Sequence, residues 1–122
     1  MTLKVKGLTW VGVGTDHYPE TMRLFRDVLG MEIETQVENQ AILRMPSGHQ
    51  VEIFGRDGRG KSQNTPPTIA FEVDDVVAAR DALVEAGVEI VGEIGSWDGH
   101  EWLYFRSPDG YLFEVKTTPA GG

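Results

Sequence analysis

An internal repeat constrains this chain more than any other feature. Arg44, Pro46, Gly48 and Glu52 recur as Arg106, Pro108, Gly110 and Glu114, each displaced by 62 positions, and at the next matching step Phe54 becomes Lys116, a change of type. Inside the repeat, Val51-Glu52-Ile53 parallels Phe113-Glu114-Val115 as apolar, acid, apolar. Upstream, Trp10-Val11-Gly12-Val13 parallels Thr68-Ile69-Ala70-Phe71 at a displacement of 58. Each of these strand-like runs leads into a helix-like run that stops at Gly30 or Gly87. A duplication of this kind implies two half-domains related by a pseudo-twofold axis. Such an axis sets equivalent residues face to face, with a cleft between them. The repeat therefore directs attention to Trp10, Glu52, Thr68 and Glu114.

The two halves read alike in secondary structure. Leu8 to Thr15 alternates as a strand, with Val11 and Val13 on one face and Trp10, Gly12 and Gly14 on the other. Asp16-His17-Tyr18-Pro19 is a turn, and Pro19 suits the first turn of a helix. Met22, Phe25, Val28 and Leu29 fall on one helical stripe that Gly30 ends. Strands are expected at 32–37, 40–45 and 50–54, with the turns Glu38-Asn39 and Pro46-Ser47-Gly48-His49 between them. In the second half, 68–73 is a strand and Asp75 an N-cap. Val76, Ala79, Leu83 and Ala86 form the buried stripe of a helix, and strands follow at 88–94, 101–106 and 111–117. The tail from Pro119 is expected to fray. The organisation is one domain over 1–122: a module over about 8–55, a linker over 56–67 and a second module over about 68–117. The fold class is α+β, two tandem βαβββ modules.

Composition removes several function classes. A net charge of −8 disfavours nucleic acid and anionic membranes, which need a basic face. The charge is lopsided: residues 1–60 hold 7 Lys/Arg against 8 Asp/Glu, and residues 61–122 hold 4 against 11. Solubility accounts for the acidic half more simply than a docking face for a basic partner. No apolar run is long enough to span a membrane, and Met1 to Lys6 lacks the apolar core of a signal peptide. There is no cysteine, hence no disulfide, thiolate nucleophile or cysteine metal ligand. These points lead us to expect a cytoplasmic location. Arg56, Arg59 and Lys61 beside Gly58 and Gly60 match no phosphate-loop spacing and read as a solvated linker.

Three runs carry a resemblance. Leu24-Phe25-Arg26-Asp27-Val28-Leu29-Gly30, Phe71-Glu72-Val73-Asp74-Asp75 and Tyr104-Phe105-Arg106-Ser107-Pro108-Asp109-Gly110-Tyr111-Leu112-Phe113-Glu114 stand in the order seen in the glyoxalase/bleomycin-resistance/dioxygenase superfamily, the vicinal oxygen chelate fold. With the duplication, the resemblance covers about residues 8–117. It implies a curled, cleft-bearing sheet and, among small members, a homodimer. It does not choose a reaction, because the superfamily hosts isomerases, dioxygenases, epimerases, thiol transferases and metal-free drug binders.

In the metal-dependent members each half supplies a His from its first strand and a Glu from its last. Carried over by position, the Glu ligands fall on Glu52 and Glu114 and the His ligands on Trp10 and Thr68. An indole has no available lone pair and a neutral hydroxyl is a poor ligand, so no metal is expected there. Two carboxylates with water could hold a divalent ion only loosely. His17, His49 and His100 do not replace the missing ligands: parity places none of them on a cleft-facing strand position, and each reads as a surface or loop residue. The loop holding His100 could fold over the cleft.

The expected ligand-binding residues are Trp10, Thr68, Ala70, Glu52, Leu112, Glu114, Trp97 and Trp102, with Trp10 as a flat aromatic wall and Tyr104 adding aromatic surface. Val11, Val51, Ile53, Ile69, Phe71, Phe113 and Val115 pack under the helices. Gly95-Ser96-Trp97-Asp98-Gly99-His100 reads either as a lid or as a long hairpin with Trp97 on the sheet edge. Arg44 and Arg106 suit structural salt bridges better than a ligand carboxylate. Glu52 and Glu114 are the candidate acid–base pair. Two functions remain open. One is a metal-independent protein that binds an aromatic or cationic small molecule. The other is a lyase, isomerase or dioxygenase acting on a small oxygenated metabolite.

Overall fold

The computed structural model describes residues 3–55 and 66–119. The chain divides into two compact units: residues 10–68, and residues 69–119 together with the N-terminal residues 3–9. The linker expected over 56–67, including Arg56, Arg59 and Lys61, lies almost wholly outside the described residues.

In the first unit, β1 (Gly7–Gly14, of which Trp10–Gly14 belong here) is followed by α1 (Tyr18–Arg23), β2 (Glu32–Val37), β3 (Gln40–Arg44) and β4 (Gln50–Phe54). Strand order is β2-β3-β4-β1, with β1 parallel to β4 and the other pairs antiparallel. A parallel pair needs a crossover, and α1 with the β2–β3 hairpin supplies it. One face carries Val11, Val13, Ala41, Leu43, Val51 and Ile53, which pack with Met22 and Phe25 of the helical segment.

That segment departs from the expected stripe. α1 passes into a π-helical stretch over Leu24–Val28. The wider turn keeps Met22 and Phe25 inward but rotates the next turn away, leaving Val28 73% exposed and Leu29 also in water. A periodicity of 3.6 therefore predicts the wrong burial for both. His17 occupies the N-cap position without a side-chain capping bond and is exposed, so its role there is that of a surface residue.

The second unit repeats the plan. It comprises β5 (Thr68–Glu72, of which Ile69–Glu72 belong here), α2 (Val76–Glu85), β6 (Glu89–Trp97), β7 (His100–Arg106) and β8 (Leu112–Lys116), with order β5-β8-β7-β6 and β5 parallel to β8. Asp75 caps α2 by accepting from the amide of Ala78 at 3.1 Å. Val76, Ala79 and Leu83 pack with Leu103 and Val115 of the sheet; Ala82 is also buried, whereas Ala86, expected on the stripe, is exposed at the C-cap. Phe71, Phe113 and Phe105 stack in a row, with centroids 6.0 and 5.9 Å apart. The N-terminal segment is tied to this unit: the amide of Lys6 donates to the carbonyl of Glu72 at 2.8 Å, and Leu3 joins the core.

The duplication survives in the turns. Met45 and His49 are bridged by a backbone bond, as are Ser107 and Tyr111, both at 2.9 Å. Gly48 and Gly110 both sit at φ 89, where a Cβ would be strained. Arg44 and Arg106 each donate to the carbonyl of that glycine at 3.0 Å. Each arginine also pairs with an acid on its neighbouring strand, Arg44 with Glu34 and Arg106 with Glu89. Both arginines thus clamp the turn that launches the last strand, which is a structural use of the guanidinium fork.

Candidate functional site

In the first unit the sheet face opposite α1 is built by alternation from Trp10, Gly12, Gln50, Glu52, Gln40 and Arg44, with Trp10 beside Gln50, Gly12 beside Glu52 and Ile42 across from Glu52 in register. Trp10 lies flat along its own strand. A Cβ on Gly12 would fall 2.2 Å from Cη2 of the indole, so only glycine leaves room for the ring. Phe54 meets the indole edge-on at 6.5 Å. The result is that Trp10 is only 7% exposed. The flat aromatic wall expected from sequence is instead a side chain that fills space on this face.

Trp10 and Glu52 are brought together. The indole Nε1–H donates to Oε1 of Glu52 at 3.0 Å, and the amide of Gln40 donates to Oε2 at 2.7 Å. Both oxygens of the carboxylate therefore accept from neutral donors. Gln40 was not among the sequence candidates. The signal that could have found it is its place on β3, two residues before Ile42, on the same face as Glu52.

In the second unit the face opposite α2 carries Ala70, Leu112, Glu114, Trp102 and Tyr104. Ala70 lies beside Glu114, Tyr104 opposite Glu114, and Trp102 opposite Lys116. Thr68, at the start of β5, and Ala70 are fully covered, and Glu114 is only 3% exposed. Trp102 repeats the Trp10 arrangement: its indole lies over Gly95, where a Cβ would approach Nε1 to 2.5 Å.

The 95–100 segment is neither a flexible loop nor a lid. β6 and β7 continue in register to Trp97 opposite His100, joined by Asp98-Gly99 alone. Both turn residues have positive φ, 50 and 82, the geometry that a two-residue hairpin turn requires. His100 is consequently a strand residue on the face opposite α2, which corrects its assignment to a loop off that face. Its Nδ1 lies 2.6 Å from Nζ of Lys116. His49 sits in its turn with Nδ1 3.0 Å from the hydroxyl of Ser47, a local contact. A recess of about 170 Å³ at the start of α2, lined by Leu3, Lys4, Val73, Asp75 and Ala78 among others, holds none of the expected site residues.

The profile of the Glyoxalase/Bleomycin resistance protein/Dioxygenase superfamily matches residues 7–115. The chain belongs to that superfamily. Comparison with curated proteins gives no match. Among solved structures it is similar to the Mn(II)-bound glyoxalase from Novosphingobium aromaticivorans, at 25% identity and a TM-score of 0.75, over 95% of this chain and 40% of that one. It is similar to methylmalonyl-CoA epimerase from Mycobacterium tuberculosis, at 23% identity and a TM-score of 0.70, over 98% and 93%. It is also similar to a variant of homoprotocatechuate 2,3-dioxygenase from Brevibacterium fuscum, at 18% identity and a TM-score of 0.74, over 96% and 33%. The chain spans two-fifths of the length of the first of these. The second and third likenesses carry the fold and not the reaction.

In the first unit an indole is hydrogen-bonded to the Glu52 carboxylate, and that pair does not fit a divalent ion. The indole offers only N–H, and that N–H already occupies the carboxylate. Among the described residues no group of three or more His, Cys, Asp or Glu could hold a metal. No described helix is long and apolar enough to cross a membrane.

Proposed function

We propose that this chain is a small-molecule-binding member of the superfamily that works without a divalent metal at Trp10, Glu52, Thr68 and Glu114. The observation that carries the reading is the Trp10–Glu52–Gln40 cluster. It converts one half of an inherited ligand set into a closed, neutral-donor network around a single carboxylate. Fully satisfied polar networks of this kind fix geometry, and opening one to seat a cation would leave two donors facing the charge. Manganese is bound by the similar glyoxalase; retaining it here would require both the indole and the amide to turn away.

The same reading takes Trp10, Thr68, Ala70, Glu52, Leu112, Glu114, Trp97 and Trp102 as the side chains bordering the ligand, with no cofactor. It takes the protein as a cytoplasmic homodimer with neither nucleic acid nor a membrane as partner, supported by the acidic charge balance and the apolar residues left in water at Leu24, Val28 and Leu29. A second reading, an enzyme acting on a small oxygenated metabolite, is favoured by one observation: Glu114 is a carboxylate almost fully withdrawn from water, as a general base often is. Elemental analysis of the purified protein, paired with a screen of small aromatic compounds by thermal shift, tests the proposal. Metal-free protein that is stabilised by a compound, with the gain unchanged by a chelator, is the expected result. About one tightly held transition metal per chain, lost on Glu52→Ala, would overturn it.

A further inference from the structure

Among the described residues of the first unit, every large hydrophobic side chain left exposed falls between Leu24 and Val37: Leu24, Val28, Leu29, Ile33 and Val37. Three of these stand on one short piece of helix. Leu24 is 46% exposed and Leu29 54%, and Val28 lies between them. The amide of Leu29 donates to the carbonyl of Leu24 at 2.9 Å, the five-residue bond of the π-helical stretch. Were the α-helix to continue, Leu29 would follow Phe25 inward one turn later. The wider turn presents it to water instead. π-Helical turns are rare and recur at functional sites.

Spacing sets the geometry of this surface. Glu20, Leu24 and Val28 recur every four residues along the outward seam, and all are exposed. Arg23 and Asp27, also exposed and four apart, run beside the seam on one flank. Asp27 accepts from Arg26 at 2.8 and 3.2 Å, which fixes its carboxylate in place. Arg23 and Arg26 balance Glu20 and Asp27, so this face is neutral in a chain of net charge −8. Repulsion between two such chains is least where the local charge vanishes. The exposed hydrophobic residues of α2 and the β6–β7 hairpin have acids next to them instead: Val77 follows Asp74 and Asp75, Val84 precedes Glu85, and Trp97 precedes Asp98. Strand pairing along the edge of β2 does not compete, because its register slips between Ile33 and Thr35, and a bulge there spoils the edge for another chain.

We propose that this face docks a second copy of the chain, with the two helical segments antiparallel. A dyad at the level of Arg26, lying in the plane of contact and across the helices, sets Leu24 of each copy against Val28 of the other. Such an axis keeps each flank on its own side, so Arg23 of each copy comes beside Asp27 of the other. The contact has an apolar centre and a charged rim, the usual anatomy of an interface. The proposal rests on the homodimer reading above and names its surface.

Sedimentation velocity of the full chain between about 1 and 200 μM measures the dimer constant. Val28→Lys, at a position outside the core cluster, should raise Kd about tenfold or more. Arg23→Asp and Asp27→Arg should each do the same, because like charges then meet twice across the dyad. Both substitutions in one chain should bring Kd back to within about threefold of the parent. An equimolar mixture of the two single-variant chains should associate where neither does alone. Circular dichroism checks that each variant folds; if Asp27→Arg does not, Val28→Lys and Arg23→Asp carry the test. A double exchange that recovers nothing overturns the antiparallel pairing. A dimer whose constant none of these substitutions changes overturns the surface and leaves the homodimer reading standing. A parent that stays monomeric up to about 200 μM overturns both.

Discussion

Replacing Gly12 with alanine should damage the protein out of proportion to one methyl group. The added Cβ would sit 2.2 Å from Cη2 of Trp10 and 2.8 Å from both Cζ2 and Cζ3, well inside contact distance along a whole edge of the ring. A flexible chain end could move aside, but this indole is buried, with Phe54 meeting it edge-on and Glu52 holding its N–H. Relief therefore requires the ring to swing off the strand, and the swing breaks the 3.0 Å bond to the carboxylate. Overpacking alone costs about 1–3 kcal/mol. Loss of a hydrogen bond to a charged acceptor costs about 1.5–3 kcal/mol, of which Gln40 recovers part by keeping its own bond. A net destabilisation of about 2–4 kcal/mol is expected. Urea unfolding measures it, in a chain carrying Trp97→Phe and Trp102→Phe so that emission reports Trp10. The midpoint should fall with m unchanged, and the native emission should shift to the red. Trp10→Leu introduced with Gly12→Ala, followed by circular dichroism because it removes the reporter, should recover part of the loss, because the clash partner is gone. A cost below about 0.5 kcal/mol with unaltered emission would refute the packing argument.

Three further outcomes follow from local geometry. Asp75→Ala should cost about 1 kcal/mol in thermal or urea unfolding through loss of the α2 cap, with Asp75→Ser keeping most of it. Gly99→Ala should destabilise by about 1–2 kcal/mol, because φ 82 disfavours a Cβ and the added atom would crowd Pro119 at 3.2 Å; exchange protection of β6–β7 amides should fall first. The Lys6 amine is held above its usual 10.5 by the hydrogen bond it donates to Asp74 and by the charges of Asp74 and Glu72. A raised amine favours the folded state fully below its unfolded pKa and loses that contribution as pH rises through the folded value. The effect therefore appears only in alkali above about pH 10. Asp74→Asn should return the Lys6 titration, read by NMR, toward the ordinary value.

The repeat made much of the fold legible. Its matched turns at Gly48 and Gly110, the β4 and β8 strands that follow and the Asp75 cap all depend on local chemistry that one window of sequence contains. The departures have physical causes. Val28 and Leu29 went outward because a π-helical turn shifts the phase of a stripe, and no residue type announces that shift. Two glycines and a serine around Trp97 leave the 95–100 segment open between a lid and a long hairpin, and the structure is the hairpin. Asp98-Gly99 alone makes the turn, and Gly95 is a strand residue that accommodates Trp102. Parity alone does not place His100, whose face follows from the hairpin register with Trp97. Alternation alone puts Trp10 on the face opposite α1. What sequence could not show was that Gly12 would let the ring lie down and become buried rather than stand as a wall.

The indole at position 10 also allows a gain-of-function argument. If the first-unit carboxylate lacks a metal because Trp10 and Gln40 hold it, then restoring the inherited donors should create affinity that the parent lacks. Trp10→His removes the donor to Oε1 and the bulk over Gly12, and substitutes an imidazole nitrogen able to ligate. Thr68→His adds the equivalent donor at the start of β5, a covered position where the larger ring requires some repacking. Structural zinc sites yield about 10–16 kcal/mol from four ligands, or about 2.5–4 kcal/mol per ligand, so two added imidazoles together exceed the lost indole hydrogen bond. The double variant should therefore bind Zn²⁺ or Mn²⁺ at least about tenfold more tightly than the parent in calorimetric titration. Gln40→Ala added to it should tighten binding again by freeing Oε2. Glu52→Ala should abolish the gain. A double variant that folds, as judged by its circular dichroism, yet shows no more metal affinity than the parent would show that the carboxylates are not poised as ligands. A metal-free parent would then need a cause other than the Trp10–Glu52 bond.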